Sequence, residues 1–152
     1  MKKKTRNSIF IIIAALIIMG GAAVWIVYKY VYNKPHTDYE AAEPAIKVRA
    51  KRLFTDYSSN PEVADKKFLD QVVEIEGEIS EIELVDSLVI VVFAYKVGDF
   101  GDEGIRVTML PDYQDEAKKL STIKPVKLKG HCTGYNGTDV IIESGSIVPR
   151  DD

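Results

Sequence analysis

Between Ile9 and Tyr28 the chain runs for about 20 residues without a charged side chain, and Lys2, Lys3, Lys4 and Arg6 stand just before that run. As a helix rising 1.5 Å per residue, such a stretch covers roughly 30 Å, the thickness of a bilayer's hydrocarbon core. It predicts a transmembrane helix over residues 9–32, with residues 1–8 forming a basic N-terminus kept in the cytoplasm. Trp25, Tyr28, Tyr30 and Tyr32 suit the interface at the far end. Gly21, Ala22 and Ala23 also offer the small-residue pattern of a signal-peptidase site. Cleavage after Ala23 would leave Val24 to Tyr28 as an exposed apolar start, so the uncleaved anchor is the simpler reading. On either reading the chain beyond Lys34 is expected outside the cytoplasm.

Of 20 basic and 23 acidic residues, six cations and no acid lie within residues 1–34, which leaves 14 basic against 23 acidic, a net of −9, for the rest. A domain of that charge starts at a disadvantage for nucleic acid or for an anionic headgroup surface. The single cysteine, Cys132, allows no intramolecular disulfide and argues against a lipid-modified N-terminal cysteine. The domain must therefore stand on its hydrophobic core, for which its length suffices.

Residues 33–45 are polar, contain Pro35 and Pro44, and read as a tether. Residues 46–148 read as one domain and 149–152 as a tail. Ile46, Ala50, Leu53, Phe54 and Tyr57 recur at helical spacing and predict a helix over Ile46–Tyr57. A second short helix follows, with Asn60 as its cap, Pro61 in its first position and Glu62 in its first turn. The period then changes to two. Val73, Ile75, Gly77 and Ile79 alternate with Glu74, Glu76, Glu78 and Ser80, and the pattern slips to Ile82 and Leu84, which predicts one long strand bulged near Ser80 and bent at Gly77. A turn at Val85–Ser87 leads to Leu88–Tyr95, apolar enough to be covered on both faces. Val97–Gly104 reads as a loop, Ile105–Met109 as the third strand, and Pro111 opens a helix whose apolar line is Tyr113, Ala117 and Leu120. The fourth strand, from Val126 to about Thr133, puts Leu128, Gly130 and Cys132 on one side and Lys127, Lys129 and His131 on the other. Asn136–Gly137 is a hairpin turn, and the fifth strand runs from Asp139 to about Val148.

Three strands, a helix and two more strands is the element order of the OB-fold, a five-stranded, partly open Greek-key barrel. The fold class is therefore mainly β, with a helix between strands three and four and short helices and the transmembrane helix in front. The segments VKLKGHCTGYNGTDVIIESGSIV at Val126–Val148, VVEIEGEISEIE at Val72–Glu83 and NKPHTDYEAAEP at Asn33–Pro44 resemble the bacterial tRNA_anti-like family. The resemblance implies a small membrane-anchored or exported OB domain. It implies no activity, cofactor or catalytic residue.

OB-folds grip single strands with stacking aromatics and a cationic groove. Here the outward side of the first strand, Glu74, Glu76, Glu78, Glu81 and Glu83, would repel phosphates, and Lys127, Lys129 and His131 are the basic stripe that strand order brings beside it. Cross-strand ion pairing is the plain reading of that juxtaposition. Glu74, Glu76, Glu78, Lys127, Lys129 and His131, with Arg106 on the third strand, are the candidate binding face. Tyr95, Phe100, Tyr113 and Tyr135 lack interleaved cations. His131 and Cys132 are adjacent and so point to opposite faces, which rules out a dyad. His36 lies in the tether, and Asp99, Asp102 and Glu103 lack the spacing of a calcium loop. The chain is expected to be a non-catalytic binding module without a cofactor. Its expected partner is a protein, basic in character, or an envelope component, with single-stranded nucleic acid as the alternative.

Overall fold

The computed structural model describes residues 19–23, 25, 39, 41–99 and 101–149. The chain forms two compact units, Met1–Thr37 and Asp38–Asp152. In the first, residues 19–23 and 25 are helical. Among the described residues no helix is long and apolar enough to cross a membrane, and most of the span expected at 9–32 lies outside them.

The second unit is mainly β, and its described residues form seven strands rather than five. Two features account for the difference. The helix expected over Ile46–Tyr57 begins as a strand, β1 (Ile46–Arg49), and only then becomes α1 (Ala50–Ser59). Ile46 and Val48 alternate with Lys47 and Arg49, a period of two, and β1 pairs in parallel with β2 (Val72–Gly77) through Ile46↔Val73 and Val48↔Ile75. The long first strand is broken after Gly77, and its second half is β3 (Glu81–Val85). Ser80 sits at the break, where its backbone N–H donates to Val92 O at 2.8 Å and its hydroxyl accepts from Ala94 N at 2.9 Å. The hydroxyl thus takes a donor that regular pairing would otherwise have satisfied.

α1 buries Ala50, Leu53, Phe54 and Tyr57, the stripe expected of it. In α2 (Pro61–Phe68) the Asn60 side chain accepts from Val63 N at 3.2 Å, and Glu62 and the pair Lys66 and Lys67 sit at the ends that complement the helix dipole. β4 (Leu88–Gly98) and β5 (Gly101–Met109) are longer than expected. Lys96↔Glu103, Val97↔Asp102 and Gly98↔Gly101 are paired, so most of the expected Val97–Gly104 loop is hairpin. The β3–β4 turn holds Asp86 and Ser87 at φ of 47° and 70°, the left-handed pair of a two-residue hairpin. Val89, Val91 and Phe93 of β4 face the core. On its other side Val92 is buried, whereas Leu88 is exposed, so the cover is incomplete.

A 3₁₀ turn (Pro111–Tyr113) and α3 (Gln114–Ala117) follow, then β6 (Val126–Tyr135) and β7 (Val140–Ile147). The strand order is β1-β2-β6-β7-β5-β4-β3, with β5 and β7 parallel. β2 and β3 lie near opposite ends of this order yet are joined by three residues, so the sheet curls round on itself as an OB barrel does. Gly77 sits at the bend. A Cβ there would lie 3.0 Å from both Ala50 Cβ and the Tyr95 hydroxyl. The core is shared by α1, α2 and the barrel strands, with Tyr57, Phe68, Phe93 and Leu53 as its largest members.

Candidate functional site

The candidate residues divide between two faces of the barrel. On the first, the register aligns β1, β2 and β6 so that Lys47, Glu74 and Lys129 form one row and Arg49, Glu76 and Lys127 the next. Each glutamate is thus flanked by a cation on either side. The expected row of repelling carboxylates is corrected here, because β1 supplies Lys47 and Arg49, and the break at Ser80 carries Glu81 and Glu83 elsewhere.

The ion pairs also differ in detail from those expected. Glu74 lies 3.3 Å from Lys47 Nζ. Lys129 Nζ instead donates to Ala42 O at 2.9 Å. Among the described residues Arg49 and Lys127 form no ion pair within 4.0 Å. Lys47, Val48, Arg49, Glu74, Glu76 and Lys127 line an open groove of about 320 Å³. At the far end of β6 the His131 ring stacks on Tyr39, with centroids 4.5 Å apart and planes 19° from parallel, and His131 Nε2 lies 3.5 Å from Asp70 Oδ1.

The second face is the outward side of β3, β4 and β5. Arg106 is here, not beside the Lys127 stripe. Its Nη1 donates to both Glu83 oxygens at 2.6 Å and its Nε donates to Asp139 Oδ2 at 3.1 Å. The bond to Glu83, and then that to Asp139, hold the guanidinium's pKa above its usual value. Asp139 Oδ1 also accepts from Gly104 N at 3.0 Å. This cation is therefore neutralised inside the fold. On the same side lie Glu81 and, at the end of the β3–β4 hairpin, the exposed apolar pair Val85 and Leu88, whereas Leu84 pairs with Val89 and points to the other side of the strand. Glu78, at the bend, is exposed and belongs to neither row, and burial together with its charge pushes the Tyr95 hydroxyl up to about 12.

The other singled-out groups are structural. Cys132 is buried with its Sγ 3.5 Å from the Tyr57 hydroxyl, and burial raises its thiol. His131 lies on the other side of the strand. Tyr135 stacks on Tyr57, and its hydroxyl donates to Gly137 O at 2.8 Å, closing the hairpin. Tyr113 packs against the core, and Glu103 is held by Lys96 at 2.9 Å. Phe100 and His36 lie outside the described residues. Among those residues no group of three or more His, Cys, Asp or Glu could hold a metal ion.

No curated protein matches the sequence. A crystal structure from Klebsiella pneumoniae subsp. pneumoniae MGH 78578, of a protein provisionally described as a nucleic acid-binding lipoprotein, aligns with 76% of this chain and 100% of its own. The TM-score is 0.51 at 13% identity, a likeness of fold. The crystal structure of yeast Stn1 and Ten1 aligns with 76% of this chain and 68% of that one, with a TM-score of 0.35 at 8% identity, too distant to add to it. By sequence the relationship is closer to home: the tRNA_anti-like family model matches residues 1–146, and the chain belongs to that family.

Proposed function

We propose that the chain is a membrane-anchored, non-catalytic OB-fold binding module whose domain lies outside the cytoplasm and engages a protein of the cell envelope. The face formed by β3, β4 and β5 carries this reading. It is the side on which OB barrels commonly take ligands, and here it combines the exposed apolar pair Val85 and Leu88 with Glu81 and an internally neutralised Arg106. Apolar side chains rimmed by carboxylates suit a protein segment with apolar and basic groups, and give a phosphate backbone nothing to hold. Anchoring and topology rest on the charge asymmetry about residues 9–32.

The test is site-specific photo-crosslinking in cells from position 88 of the full chain. A discrete protein adduct that is lost in Val85→Ser and Glu81→Lys variants supports the reading. Adducts insensitive to both substitutions, or none, refute it. A reporter fused after Asp152 checks the topology, and activity only in the cytoplasm would reverse it.

A second reading, single-stranded nucleic-acid binding, draws on the cations of the first face and on the provisional description of the Klebsiella protein. It predicts salt-sensitive binding of labelled RNA or DNA by residues 38–152.

A further inference from the structure

We infer that the face formed by β1, β2 and β6 is a membrane-resting surface that binds the anionic headgroups of the bilayer. Its two rows hold four cations, Lys47, Arg49, Lys127 and Lys129, against two glutamates, of which Glu74 is only 11% exposed and already meets Lys47. The rest of the domain is acidic, since residues 35–152 carry a net charge of −9. An anionic surface therefore repels the domain as a whole and attracts this face, which orients the domain as well as holding it.

The path of the chain gives the same placement. Tyr39 stacks on His131, Ala42 O accepts from Lys129, and Ala45 N donates to Val72 O at 2.9 Å, so the segment leading into β1 is seated along this face. On the proposed anchoring of residues 9–32, on which this inference rests, only residues 33–38 separate the bilayer from Tyr39. Fully extended they reach roughly 25 Å. Confinement to that distance raises the effective concentration of headgroups, so that a weak electrostatic attraction suffices. A nucleic-acid strand fits less well, because the rings that the described residues place on this face, Tyr39 and His131, are already stacked on each other.

The experiment uses residues 38–152, which contain the whole buried core and so fold without the N-terminal segment. Co-sedimentation is measured with vesicles of phosphatidylcholine alone and of phosphatidylcholine with about 30% phosphatidylglycerol. The expected result is partitioning only onto the anionic vesicles, weakened roughly tenfold or more in Lys47→Glu/Lys127→Glu and by raised salt. Lys66→Glu/Lys124→Glu, with the same change of net charge on other surfaces, should retain most of it. If the reversal variant does not fold, Lys47→Gln/Lys127→Gln takes its place. Failure to bind anionic vesicles, or equal loss in both charge-reversed variants, overturns the inference. So does binding of a labelled oligonucleotide, lost in the same variant, without vesicle binding. Alkaline extraction of the full chain from membranes tests the anchor separately, so the two ideas can fail independently.

Discussion

Arg106 shows how one side chain can belong to a sequence-level candidate face and yet do something else. The sequence pattern groups it with Lys127 and Lys129 as a cation on an outward strand side, and outward it is. Its partners, however, are Glu83 across β4 and Asp139 at the start of β7, and neither pairing follows from strand alternation. Replacing it by Leu leaves two partly buried carboxylates without their cation and should cost about 2 kcal/mol in urea unfolding. Arg106→Lys should recover only part, since an ammonium cannot present the fork that reaches both acids. A loss under about 0.5 kcal/mol would mean the pair is ordinary surface decoration. Tyr95 gives a pH prediction. Burial and Glu78 keep its hydroxyl protonated up to about 12, against 10.0 ordinarily, so above pH 10 the folded chain binds more protons than the unfolded one. Stability is then intact below about pH 10 and falls as pH rises through that window. Burial of Cys132, whose thiol is also raised above 9.0, starts the decline earlier. Thermal melts from pH 7 to 11 should show the fall, and Tyr95→Phe should reduce its upper part without abolishing it, since burial also raises the Tyr57 and Tyr135 hydroxyls.

Among elements, most barrel strands were legible because each kept a clean period of two between turn residues, as at β6 and its Asn136–Gly137 hairpin. β1 was missed for a reason of the same kind. Ile46 sits four residues before Ala50 and seven before Leu53, so it joined a helical stripe, while the alternation of Ile46, Lys47, Val48 and Arg49 is too short to assert itself. What decides the matter is the open edge of β2, a tertiary partner invisible to local pattern. With β1 went half the cations of the first face, so that face looked acidic when only β2 and β6 were in view. At the break between β2 and β3, Ser80→Ala removes the acceptor of Ala94 N and should cost about 1 kcal/mol. Asn60→Ala, which strips the cap of α2, should cost a similar amount, about 1 kcal/mol, and both are readable from chemical denaturation.

At the scale of the molecule, the barrel's order was recoverable from the sequence of elements, whereas the distribution of charge around it was not. Net charge is additive and can be counted, but which cations share a face depends on register between strands far apart in the chain. For the same reason the acidic excess predicts a bulk property well. The second unit repels itself electrostatically, and raising salt from about 10 to 200 mM should lift its melting temperature by about a few degrees. An unchanged or lower value would mean that favourable pairs outweigh the repulsion.

The two outermost strands of the sheet, β1 and β3, are each hydrogen-bonded along one edge only, and they are also its shortest, at four and five residues. Amide hydrogens there should exchange with solvent well before those of β6, β7, β4 and β5, which are paired on both sides. In β1 that early opening has a particular meaning. Since residues 41–45 lead into the barrel through this strand, they are joined to an edge that should open early, and they can be released without unfolding the barrel.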